Sequence, residues 1–124
     1  MMSSPVPAMR RGDVFWVDLN PARGSEANKI RPAIIVSNNG ANSAAHQNGR
    51  GVITVVPVSS KITRVYPFQV LIEAVDHPGL QRDSKALVEQ IRNVDVSRIG
   101  RRITALSPIT IKKLEAAMRM HLML

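Results

Sequence analysis

Short apolar runs alternate with polar, turn-rich connections along most of the chain, and the runs are β-branched enough to favour strands over helices. Val14-Phe15-Trp16-Val17-Asp18-Leu19 reads as the first strand, entered through Arg11-Gly12-Asp13 and left through Asn20-Pro21. A polar, turn-rich loop over 20–28 leads to Arg31-Pro32-Ala33-Ile34-Ile35-Val36, a buried strand. Pro32 has no N–H for a ladder, so it is expected at the first strand position, and it biases Arg31 away from helical dihedrals. Arg31 thus stands where a polar loop meets a rigid strand. The segment 39–50 reads as a loop holding one helical turn at 42–46. Val52-Ile53-Thr54-Val55-Val56-Pro57-Val58 is a further buried strand, its proline predicting an edge or a bulge. Strands are then predicted over 68–75, 86–94 and 102–106, with a single turn over 96–99. The chain closes with its one clear helix, capped by Ser107, opened by Pro108, and apolar at Ile111, Leu114, Met118 and Leu122. Many short strands and one terminal helix predict a mostly β (α+β) fold, a small barrel with a helix packed on it.

Length and composition sharpen that picture in a few places. A chain of 124 residues forms one domain, here 10–124, preceded by a loose arm over 1–9 that lacks the apolar core of a signal peptide. No apolar run is long enough to span a membrane, and there is no cysteine for a disulfide or a zinc–thiolate site, which fits a cytoplasmic protein. The methionines Met118, Met120 and Met123 read as filler for a core or a subunit interface. The net charge of +8 is the strongest compositional fact and favours a polyanionic partner. Only four aromatic residues occur, Phe15, Trp16, Tyr66 and Phe68, too few for a broad stacking platform.

The candidate chemistry is narrow. His46, His77 and His121 are scattered, the nine carboxylates are dispersed, and no glycine-rich phosphate loop occurs, so no metal ion or other cofactor is expected. A basic protein of this kind suits a reaction whose substrate brings its own nucleophile. RNA does so, because its 2′-hydroxyl already lies near the phosphorus. What the protein must add is stabilisation of negative charge on the phosphorane and two proton transfers. Arg31 suits the first task, since a guanidinium fork grips two phosphate oxygens at once. Ser59 and Ser60, at the end of a strand, each offer a hydroxyl.

Gly12-Asp13-Val14-Phe15-Trp16-Val17-Asp18-Leu19-Asn20-Pro21, Gly24-Ser25-Glu26 and Arg31-Pro32 resemble the MazF/PemK/Kid family of toxin endoribonucleases, in members of mycobacterial type. So do Val56-Pro57-Val58-Ser59-Ser60, Tyr66-Pro67-Phe68-Gln69-Val70, Asp83-Ser84 and Glu89-Gln90-Ile91-Arg92, all in family order from Arg10 onward. The resemblance implies an SH3-like barrel of the CcdB/PemK type, assembled as a homodimer. It implies cofactor-free, sequence-specific cleavage of single-stranded RNA that leaves a 2′,3′-cyclic phosphate and a 5′-hydroxyl and arrests translation and growth. The family's catalytic arginine falls on Arg31 and its catalytic threonine on Ser59, which keeps the hydroxyl and loses the methyl; Ser60 is the alternative. Glu26 matches an acidic loop position, and the proton acceptor is left open between Glu26, His46 and water.

Loops 20–30, 39–51 and 60–67 are expected to line the RNA groove, with Arg23, Asn28, Lys29, Lys61, Arg64 and His46 as RNA-binding candidates. The resemblance also implies an antitoxin whose acidic, flexible tail covers that groove, for which the charge of +8 gives a physical motive. Two other readings share the barrel: a gyrase poison of the CcdB kind and a nucleic-acid-binding module without catalysis. The first depends on an aromatic residue at the extreme C-terminus, and Met120-His121-Leu122-Met123-Leu124 has none.

Overall fold

The computed structural model describes residues 5–21, 23–26 and 29–124. Among the described residues, seven strands form one antiparallel sheet: β1 (Asp13–Asp18), β2 (Ile30–Ile35), β3 (Val52–Ser59), β4 (Val70–Ile72), β5 (Ser84–Ala86), β6 (Arg92–Asp95) and β7 (Ile99–Ala105). The order is β4-β5-β3-β2-β1-β7, with β6 also paired to β3. Register shifts between β1 and β7 bend the sheet into a half-barrel. Helix α1 (Asn39–Asn48) and helix α2 (Pro108–Leu122) complete the mostly β architecture that the apolar pattern predicts.

Both faces of the sheet are covered, which explains why β2 and β3 read as continuous apolar runs. Phe15, Val17, Ala33, Ile35, Ile53 and Val55 point into one core. Val14, Ile34, Val36, Val56 and Val58 point into the other, beneath Leu114, Ala117 and Met118 of α2. The first core also holds Val6 and Met9, so the segment expected as a loose arm over 1–9 is anchored at these two residues; residues 1–4 lie outside the described residues. Their apolar side chains cover a core that α1, buried only at Asn42 and Ala45, leaves partly open. α1 itself is longer than the single turn expected, because Asn38 caps it through Ala41 N–H and Gly49 closes it at φ 67°. Of the methionines expected to be filler, Met118 is buried and Met120 and Met123 are exposed.

Two proline expectations are refined. Pro32 is the third residue of β2, just past the last pair with β3, Ala33 opposite Pro57. Pro57 is interior to β3, between the residues paired with β6 (52–55) and those paired with β5 (58–59). Its carbonyl accepts from Leu87 N–H at 2.8 Å across that gap, where no ladder needs a proline N–H. The same gap splits the strand expected over 86–94. Here the chain leaves β3 after β5, makes a 3₁₀ turn at Val88–Gln90, and rejoins β3 as β6.

His77 is 1 % exposed and joins the connection after β4 to the start of α2. Its Nε2 accepts the Ser107 backbone N–H at 3.2 Å, so Nδ1 carries the proton that it donates to Glu73 O at 2.7 Å. His77→Leu keeps the apolar contacts but leaves the half-buried Ser107 N–H without its acceptor and takes from Glu73 O one of its two donors, the other being the Asp76 N–H. It is expected to cost about 2 kcal/mol in urea unfolding, and an unchanged midpoint would show that neither bond matters.

Candidate active site

The site begins where β2 and β3 part. They pair only from Ala33 to Ile35; beyond that, β2 stays with β1, and β3 turns away with β5. Continuing the Ala33–Pro57 register by two residues puts Arg31 opposite Ser59, on one face of the sheet by strand alternation. Ser60 falls on the other parity. The strands diverge around a cleft of about 640 Å³, and Arg31, Ser59, Ser60, Lys29 and Lys61 all line it.

Each root is held firmly. The loop before β2 is clasped at its base, where Leu19 N–H donates to Lys29 O (3.1 Å) and Lys29 N–H to Asn20 Oδ1 (3.0 Å). Arg98 donates to Asp18 O and Asn20 O from the β6–β7 connection. Arg31, the next residue but one after that clasp, is half-buried. Ser59 pairs with Lys85 of β5, and its Oγ accepts the Lys61 N–H at 3.2 Å, which leaves the hydroxyl proton to donate.

The other sequence candidates are spread out. Glu26 folds back within its own loop, its Oε1 accepting the Arg23 N–H at 2.7 Å; neither residue lines the cleft. Arg64 caps the ring of Tyr66, its guanidinium carbon 4.7 Å from the centroid, while Tyr66 stacks on Phe68 and the Arg64 carbonyl accepts from Lys85. That cluster orders the 60–69 loop beside Ser59 without putting Arg64 in the cleft. His46 sits on α1 with Nδ1 2.7 Å from Val6 O, and no residue of 39–51 lines the cleft, so the middle of the three expected loops is not part of it. Asn28 lies outside the described residues.

Sequence reasoning missed the far wall and one carboxylate. The far wall includes Arg82, Arg101 and Arg102, and Trp16 stands 37 % exposed at the border with a second, smaller cleft. Among the described residues, six basic residues line the main cleft and no Asp or Glu does. The carboxylate is Glu89. Val88 turns into the second core, while Gln90 Nε2 reaches Ser25 O (3.3 Å) and Glu89 Oε2 accepts from Gln69 Nε2 (2.7 Å). Glu89 therefore lies between the loop leading into Arg31 and the loop leaving Ser59. Its Oε1 is buried with no hydrogen-bond partner, a costly state for a carboxylate oxygen.

A divergent strand pair that brings an arginine and a hydroxyl to one cleft, whose charged residues among those described are all cationic, can be set beside known proteins. Residues 10–122 match the model of the PemK-like, MazF-like toxin of type II toxin–antitoxin systems. The chain belongs to this family. It is 54 % identical to endoribonuclease MazF9 of Mycobacterium tuberculosis over 92 % of this chain and 96 % of that one. It is 35 % identical to endoribonuclease MazF of Staphylococcus saprophyticus over 92 % and 91 %. The fold matches that of MazF from Deinococcus radiodurans (TM-score 0.79, 23 % identity, 95 % and 99 % of the two chains). It also matches a mycobacterial endoribonuclease solved with its cognate antitoxin (TM-score 0.74, 23 % identity, 94 % and 97 %). Family membership agrees with the resemblance carried by the Arg31-Pro32 and Glu89-Gln90-Ile91-Arg92 segments.

Proposed function

We propose that this chain is a toxin endoribonuclease that cleaves single-stranded RNA in the cytoplasm, works as a homodimer, and is held in check by an acidic antitoxin. One observation carries the reading: Arg31 and Ser59, at the parting ends of β2 and β3, line one cleft that among the described residues has six cations and no carboxylate. The 2′-oxygen attacks phosphorus, the P–O5′ bond breaks, and the products are a 2′,3′-cyclic phosphate and a 5′-hydroxyl. Arg31 and the Ser59 hydroxyl donate to the phosphorane oxygens, where charge builds. Arginine is a poor base. Among the described residues no carboxylate or histidine lines the cleft, so water takes the 2′-proton, and the departing 5′-oxygen takes one from Arg31 or water.

RNA incubated with the protein in chelator is expected to be cut, leaving cyclic-phosphate ends, while the same sequence with 2′-deoxyribose at the cut stays intact. Cutting of the deoxy analogue would overturn the mechanism, and binding without cutting would favour the non-catalytic module. A narrower result is expected. Ser59→Ala slows cleavage by about tenfold, the loss of one hydrogen bond to a charged group, whereas Ser60→Ala is neutral; the reverse order would move the role to Ser60.

A further inference from the structure

The far wall of the cleft holds charge that the Arg31–Ser59 pair does not explain. Arg101 and Arg102 come from β7, and Arg82 from the connection between β4 and β5. Arg102 is engaged by Asp13, with Nε 3.4 Å from Oδ1. Arg82 and Arg101 are exposed, and among the described residues neither guanidinium has a hydrogen-bond or ion-pair partner. The adjacent carboxylate does not compensate, because Asp83 Oδ1 accepts the Ala74 N–H at 2.8 Å and Asp83 does not line the cleft. Nor is the placement loose. Gly79 packs so tightly on β7 that a Cβ there would lie 2.2 Å from Ile103 O, which sets the connection carrying Arg82 against the strand carrying Arg101. Uncompensated like charges on one rigid wall repel each other, and an anion bound between them removes that cost.

We propose that Arg82 and Arg101 form a second phosphate seat, which grips a backbone phosphate flanking the scissile one. The inference rests on RNA as the substrate proposed above. A guanidinium fork matches two phosphate oxygens and reads no base. The seat therefore adds affinity and fixes the strand's position along the cleft, while the near wall does the cutting.

The test uses the whole chain with Arg82→Gln and Arg101→Gln together. The probes are a short fluorescein-labelled RNA spanning a mapped cut, and the same oligonucleotide with deoxyribose at the cut for binding. Affinity for the uncut analogue is expected to fall about tenfold, in line with one charge-assisted contact. The slope of log affinity against log salt should become shallower by about 0.7, the value for one phosphate in a single strand. KM should rise in parallel with kcat unchanged, and Arg82→Lys with Arg101→Lys should recover part of the loss. Unchanged affinity and slope would overturn the seat. So would a fall in kcat at constant KM, or a changed mass in solution, which would make these arginines interface residues. Should the wild type bind the analogue with the arginine-dependent slope yet cut no RNA, the seat stands and the endoribonuclease reading falls. Should it cut RNA while the slope does not move, the seat alone falls.

Discussion

Arg31→Ala is expected to slow RNA cleavage on the order of a hundred- to a thousandfold while leaving the fold intact. The size follows from where charge appears. The substrate supplies the nucleophile, so the protein's largest contribution is to stabilise the phosphorane, and a donor fixed in a cleft walled by protein does so without reorganising. The fold is expected to survive because Arg31 is near the start of β2, where the ladder to β1 is made by backbone and the ladder to β3 has already ended. Cleavage assayed in vitro beside a urea titration separates the two effects. Full activity from a folded variant would remove Arg31 from the mechanism, and an unfolded variant would give it a structural role instead. Arg31→Lys keeps the charge but loses the fork, so it should recover only part of the rate.

Gly79→Ala is expected to be the most destabilising single substitution considered, at about 3–5 kcal/mol in denaturant unfolding. Two costs add at this position. The backbone φ is +102°, where an L side chain is strained, and the new Cβ would lie 2.2 Å from Ile103 O, a main-chain atom of β7 that cannot rotate aside. Relief requires the 79–82 connection to lift off β7, which also displaces Arg82 from the cleft wall. RNA affinity should therefore fall with stability. Gly24→Ala is the control: φ is +57° there, but the added methyl meets nothing within 4 Å, so only the backbone cost, about 1–2 kcal/mol, applies. Equal losses at the two glycines would mean that the contact with Ile103 contributes nothing.

The parts of the fold legible in the sequence were those encoded locally. β-branched runs marked β1, β2 and β3, and Ser107-Pro108 marked the start of α2, whose Ser107 Oγ accepts the Thr110 N–H at 3.2 Å. α1 escaped because only Asn42 and Ala45 of it are buried, leaving almost no apolar periodicity to read. The break at Val88–Gln90 escaped for a different reason. The apolar run Ala86-Leu87-Val88 gives no turn signal, and only the tertiary gap in β3 tells the chain to change partners there.

The candidate site divides along the same line. Arg31, Lys29, Ser59 and Lys61 were found because loop–strand junctions are visible in sequence, and the structure brings all four to one cleft. Arg82, Arg101 and Arg102 were missed because nothing local says which strand will face the β2–β3 opening. The doublet Arg101-Arg102 after Gly100 was the available signal, yet it resembles any solvated basic pair. Glu89 was passed over as one of nine dispersed carboxylates; what marks it is its bond from Gln69 Nε2, behind the cleft, a purely three-dimensional property.

Single-turnover cleavage by Arg31→Ala, Ser59→Ala and the double variant addresses the central claim, that both side chains act on one phosphodiester. If they do, the losses are coupled by about 0.5–3 kcal/mol, and the double variant is scarcely slower than Arg31→Ala alone. Losses that multiply in full would mean that Arg31 and Ser59 act at separate places, contradicting the convergence on which the mechanism is built.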